Sequence, residues 1–243
     1  MIPIRDQNPG LKTPIMTLVI IVAALAVYFG IQTPSARPDM TVIELATIPC
    51  EIVTGDPVDL VELETGQCFS EPIGAPLFPD KSIIASLVVS IFLHGSLIHL
   101  FGNLWSLWIF GNNTEDAFGR TGFLALYLAA GLAATGAHVA LHPDSVIPVI
   151  GASGAISGVM GAYLVLFPHA RITTWVVYIP MAIPAWIFLF IWFGSQFLIS
   201  ADSGIAWEAH VGGFVFGVLT AAVLRPRLIR RLRTHHFPLE FVR

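Results

Sequence analysis

Charge is the scarcest commodity in this sequence. Only 12% of its 243 residues are Asp, Glu, Lys or Arg, against 55% hydrophobic residues and a mean hydropathy of +0.77. So little charge excludes an ordinary soluble domain and identifies a polytopic membrane protein. Membrane lipids are therefore expected partners and nucleic acid is not. Several chemical signatures are also missing. There is no H-E-x-x-H for a catalytic zinc, and no pair of aspartates inside apolar segments to share a proton. No intramembrane carboxylate offers the relay that a small histidine-based transporter would use. No metal and no organic cofactor is implied. Cysteine is nearly absent: Cys50 and Cys68 are the only two, and the sequence is equally compatible with a bridge and with two free thiols.

What the chain does contain is six apolar segments: 14–32, 97–111, 122–141, 152–167, 183–198 and 207–224. The first is too long for the hydrophobic core of a signal peptide and is expected to be retained. Basic residues lie at both ends, Arg5 and Lys12 before the first segment and Arg225, Arg227, Arg230, Arg231, Arg233 and Arg243 after the last. By the positive-inside rule both termini face the cytoplasm, as do the connections holding Arg120 and Arg171. The expected fold is an all-α, six-transmembrane-helix bundle with a long extracytoplasmic first loop. Residues 1–13 form the inner N-terminus, 14–225 the six-span domain with the loop at 33–82, and 226–243 a basic tail along the inner leaflet. The expected setting is a bacterial inner membrane.

Within the outer loop, residues 41–48 read as a short helix, and 83–92 as a helix lying in the interface or inserted partway. Glu115 and Arg120, in the inner connection between the second and third spans, read as a pair or as helix caps. His138 and His142, four apart at the outer end of the third span, read as interfacial polar residues; no carboxylate or thiolate falls near them at ligand spacing.

Other polar groups are harder to dismiss. His99 and Asn103 share one face at the head of the second span, where polar side chains need a wet cavity or partners. His94, off that face, reads as a structural tie to the outer loop. The fourth span is short, so Ser153 sits at a helix N-terminus below the outer surface, where free N–H groups can receive an oxyanion. His210, Gly213 and Gly217 share a face of the sixth span, and small residues permit close approach. The expected partner face is Ser153, Ser157 and Gly161. The second, fourth and sixth spans run in the same direction, so His99, Asn103, Ser153 and His210 fall at similar depth. A hydroxyl beside a neutral imidazole is an activated nucleophile. With no acid at that depth, the pair is a Ser–His dyad, with the Ser153 N–H, His99 and Asn103 as oxyanion donors.

These residues, His94-x4-His99-x3-Asn103, Gly151-Ala152-Ser153-Gly154 and Ala209-His210-x2-Gly213-x3-Gly217, resemble the motifs of the rhomboid intramembrane serine proteases over residues 82–225. The resemblance implies Ser153 as nucleophile, His210 as base and acid, His99 and Asn103 as oxyanion donors, and Gly151 as the glycine preceding the serine. It also implies the substrates, single-span membrane proteins cut beside a small residue where their helix unwinds. Where some members stack a tyrosine on the catalytic histidine, Ser157 stands here, which leaves open how His210 is held. Phe190, Trp192, Phe193 and Phe197 on the fifth span read either as a substrate gate or as lipid-facing aromatics. A different class of function, a pseudoprotease that binds transmembrane clients without cutting, is disfavoured by the intact serine and histidine.

Overall fold

The computed structural model describes residues 1–71, 73–200 and 203–234; the end of the predicted basic tail, 235–243, and two residues of the 200–204 loop lie outside the described residues. Apolar stretches coil into helices because a membrane offers backbone amides no other partner. The first, α1 (Ile15–Val27), continues through a π-helical turn to Gln32. Four short helices follow in the loop: α2 (Pro38–Leu45), α3 (Pro49–Thr54), α4 (Leu60–Thr65) and α5 (Ile83–Val89). The predicted second and third spans lie on one 45-residue run, α6 (Leu97–Leu141), divided at Gly119, whose φ of 73° is non-helical. Then come α7 (Ser153–Leu166), α8 (Ala185–Gln196) and α9 (Trp207–Thr234). Among the described residues, three helices are long and apolar enough to cross a membrane: Ile15–Gln32, α6 and α9. α7 and α8 are shorter apolar helices.

The bundle centre is made by the second half of α6 with α7 and α9, and small residues explain why. A β-carbon on Gly213 would meet the carbonyl oxygen of Gly154, and one on Gly217 that of Gly158. One on Gly161 would meet the Phe214 carbonyl, and Gly154 and Gly158 have Ala134 and Ala130 of α6 where their side chains would be. The three helices therefore touch at backbone distance. The expected α7 face needs rotating by one position: Gly154, Gly158 and Gly161 make the contact. Ser157 lies beside it and donates its hydroxyl to the Ser153 carbonyl at 2.7 Å.

α1 packs on α6 through Ala24, Leu100 and Leu104. Glu115 caps it, accepting from the Met16 and Thr17 amides at 2.9 and 2.8 Å, the cap the sequence allowed. At the bundle end opposite Ser153, a sheet appears that the helical reading lacked. Strand β1 (Ile2–Asp6) pairs with β2 (Arg171–Val176), which pairs with β3 (Ile179–Pro184), all antiparallel. Residues 172–177 are β-branched and apolar, and the N-terminus supplies their second edge. Asp6 reaches from β1 into the bundle, accepting from Tyr163 at 2.7 Å and Asn113 at 2.6 Å.

The first loop is an ordered layer over the Ser153 end. Cys50 and Cys68 form a disulfide, which settles the alternative the sequence left open. Glu51 and Lys81 are paired and buried at 2.6 Å. The layer is sewn to the segment entering α7: Cys50 N–H donates to the Ser145 carbonyl at 3.0 Å, Val149 N–H to that of Thr47 at 2.8 Å, and Gly151 N–H to that of Ser90 at 3.0 Å.

Candidate active site

Ser153 is the first residue of α7, with Ala152 as N-cap and no side-chain cap bond. The opening amides of that helix thus remain available to an acceptor. The approach is made by Gly151, whose φ of 117° is closed to most side chains. A β-carbon there would lie 2.7 Å from His99 Cε1 and 2.8 Å from Nε2, and 3.7 Å from Asn103 Nδ2. Glycine is thus needed twice, for the turn and for room beside the imidazole. Asn103 is buried, and its Nδ2 has no hydrogen-bond partner among the described residues: an unspent donor close to the residue two before Ser153.

His94 is buried, but it ties down α1 and not the outer loop. Its N–H donates to Gln32 Oε1 at 3.0 Å, and Gln32 Nε2 donates to its carbonyl at 3.1 Å. Its ring lies edge-on to His99, centroids 5.1 Å apart, and fixes that imidazole by contact.

The second half of the site comes from α9. Gly154 lies between Ala209, whose carbonyl would be 3.7 Å from an added β-carbon, and Gly213. That register brings the head of α7, which opens on Ser153, level with the first turns of α9, which carry His210. Both residues are half-buried.

His210 is held by α8, through residues the sequence reading did not assign to this task. Its Nδ1 is 2.8 Å from Gln196 Oε1, and the Trp192 ring lies 6.3 Å from the imidazole at 35°. Gln196 is 5% exposed. Nδ1–H donating to the amide oxygen leaves Nε2 with its lone pair free. The role left open by Ser157 is therefore filled from the neighbouring helix. Of the other α8 aromatics, Phe193 packs on Phe214 with centroids 4.9 Å apart, while Phe190 is exposed. Gln196 was discoverable, since a lone amide in an apolar helix needs a partner and Trp192 stands one turn away.

The reading of His138 and His142 as separate interfacial residues does not hold. The helix crossing brings Glu208 of α9 to both, 3.4 Å from His138 Nδ1 and 2.9 Å from His142 Nε2. Glu208 and His138 are largely buried. A carboxylate seventy residues away supplies what local spacing did not.

Comparison with known proteins identifies the family. The rhomboid domain model matches residues 82–227, more than half of the chain. The chain belongs to the rhomboid family. All the residues just described lie inside that match except Gln32, Asp6 and the outer loop before Ser82. Among its relatives is Rhomboid protein 1, mitochondrial, of Saccharomyces cerevisiae, 34% identical over 145 residues, covering 55% of this chain and 40% of the yeast protein. Rhomboid protease GluP of Bacillus subtilis is 33% identical over 170 residues, covering 68% of this chain and 32% of GluP. The human Presenilin-associated rhomboid-like protein, mitochondrial, is 29% identical over 158 residues, covering 57% and 38%. This rhomboid protein thus spans two fifths or less of the length of each of these relatives. It is an integral membrane protein, by its family and by its long apolar helices.

Proposed function

We propose that this rhomboid protein is a serine endopeptidase that cleaves single-span membrane proteins within or near their membrane segment, using Ser153 and His210 as a dyad. The observation that supports the reading is the glycine-to-carbonyl packing of α9 on α7, which brings the turn carrying His210 level with the opening of α7.

The chemistry follows from donors and acceptors. With Gln196 accepting from Nδ1–H, His210 Nε2 takes the Ser153 hydroxyl proton as Oγ attacks the scissile carbonyl carbon. The carbonyl oxygen becomes an oxyanion, received by the Ser153 N–H and by His99 and Asn103 Nδ2; loss of one such donor raises the barrier by ~2.7–4 kcal/mol. The C–N bond then breaks, and His210 returns the proton to the leaving amine. Water attacks the acyl-enzyme by the same steps in reverse order. A substrate helix must unwind first, since a helical carbonyl is engaged with its own backbone.

The basic residues at both ends support a six-span arrangement with both termini on the inner side. The Bacillus relative, which covers 68% of this chain, favours a bacterial cell membrane. The test is cleavage of a model single-span substrate by the purified protein in lipid. Wild type is expected to cut, and Ser153→Ala and His210→Ala to lose cleavage while keeping wild-type helix content. Client binding without cleavage by wild type, unchanged in Ser153→Ala, would replace the enzyme reading with the pseudoprotease.

A further inference from the structure

Two imidazoles and a carboxylate converge where the end of α6 meets the start of α9, outside the Ser153 site. His138 and His142, four apart, present their rings on one helical face with centroids 4.9 Å apart. Glu208 closes the third side. One ligand atom from each, a ring nitrogen of either histidine and a Glu208 oxygen, lies within 4.8 Å of the other two.

Hydrogen bonding does not account for the set. His142 Nε2 and Glu208 Oε1 make a sound bond at 2.9 Å. His138 Nδ1, by contrast, is buried at ion-pair distance, 3.4 Å, from the other carboxylate oxygen and has no hydrogen-bond partner of good geometry among the described residues. A buried nitrogen facing a carboxylate without a bond is a vacancy in the accounting of polar groups. A cation placed between the three would use that nitrogen.

We propose that His138, His142 and Glu208 bind a divalent transition-metal ion of the zinc class, clamping the end of α6 to the opening turn of the helix that carries His210. Two imidazole nitrogens and one carboxylate form a donor set that zinc accepts, with the fourth position left to water. Ligands of a tetrahedral zinc stand about 3.4 Å apart, and His138 Nδ1 and Glu208 Oε2 are 3.4 Å apart already. His142 Nε2 and Glu208 Oε1, at 2.9 Å, would part slightly as the ion enters between them, and His142, 47% exposed, lies at the surface. That exposure also provides the ion's entry path. The site needs no step of the protease reading and stands or falls without it.

The test uses the untagged full-length protein in lipid, with His235→Ala and His236→Ala to remove the adjacent imidazoles of the tail. After chelation, the protein is equilibrated with Zn2+, and bound metal is counted; Co2+ is titrated in parallel for the intense visible bands of a low-coordinate ion. One equivalent is expected, together with a metal-dependent rise in Tm. His138→Ala is expected to weaken binding at least tenfold. Glu208→Gln is the sharper variant, because it keeps the volume and an acceptor for His142 while removing the anionic ligand. Failure of the parent to retain Zn2+, or retention with unchanged affinity in Glu208→Gln, overturns the proposal and leaves a histidine–carboxylate hydrogen bond.

Discussion

Replacing Gly217 with alanine tests whether α7 and α9 are gauged by their backbones. The added methyl would overlap the Gly158 carbonyl oxygen and also meet the Gly158 Cα 2.8 Å away, whereas ordinary contacts of a β-carbon lie at 3.4–4 Å. Backbone cannot turn aside as a flexible side chain can, so the helices must part. Alanine gains ~1 kcal/mol of helix propensity over glycine. Overpacking a tight interior costs about 1–3 kcal/mol, and backbone overlap belongs at the upper end. The net expectation is destabilisation by about 1–2 kcal/mol. Activity should fall further than stability, because displacing a catalytic group by ~1 Å can cost ~100-fold. The assay pairs denaturant titration in mixed micelles, followed by tryptophan fluorescence, with turnover of the single-span substrate. Gly136→Ala is the control: nothing lies within 4 Å of its added carbon, and it should be neutral or stabilising by ~0.5–1 kcal/mol. If Gly217→Ala unfolds with wild type and cuts at the wild-type rate, contact between the two backbones does not set the site.

Gln196→Leu should leave the helix content intact and lower kcat by about 10–100-fold, on the scale of losing a group that positions a general base; a kcat equal to wild type would show that the 2.8 Å bond to His210 Nδ1 does not orient the ring. Asp6 gives a pH signature: burial, opposed by hydrogen bonds from Tyr163, Asn8 and Asn113, raises its pKa from the ordinary 3.8 to about 6. The folded state therefore holds the proton more tightly, so stability should fall as pH rises from about 4 to 6, by up to ~3 kcal/mol. Asp6→Asn should flatten that slope, and a variant with the wild-type profile would discount the group. The Cys50–Cys68 bridge spans 18 residues, so reducing it should cost the loop layer about 3 kcal/mol, read as faster proteolysis or amide exchange over residues 41–70; unchanged protection would mean the layer is held by its other bonds.

What was legible in the sequence is what helical periodicity and topology determine. The start of α7 at Ser153 and the glycine face of α9 both follow from spacings of three and four. What escaped depends on distance along the chain. β1 has five residues and no useful pattern of its own, and its partner lies beyond residue 170. Glu208 looked peripheral because its histidines stand seventy residues earlier, on a helix whose rotation no local pattern fixes. The one-position error in the α7 face has the same origin: both the serine face and the glycine face contain small residues, and only the α6 alanines decide between them.

The intimacy of α7 and α9 also bears on how the molecule is made. The two helices are the tightest pair in the bundle, yet His210 leaves the ribosome 57 residues after Ser153, about 3–11 s later at ~5–20 residues per second. Throughout that interval the glycine face of α7 has no α9 to meet and its serine has no imidazole beside it. Insertion of α9 supplies the partner face and, on the proposed dyad, the imidazole in a single event, so a nascent chain surrounded by other newly inserted helices cannot cut them before α9 is in place.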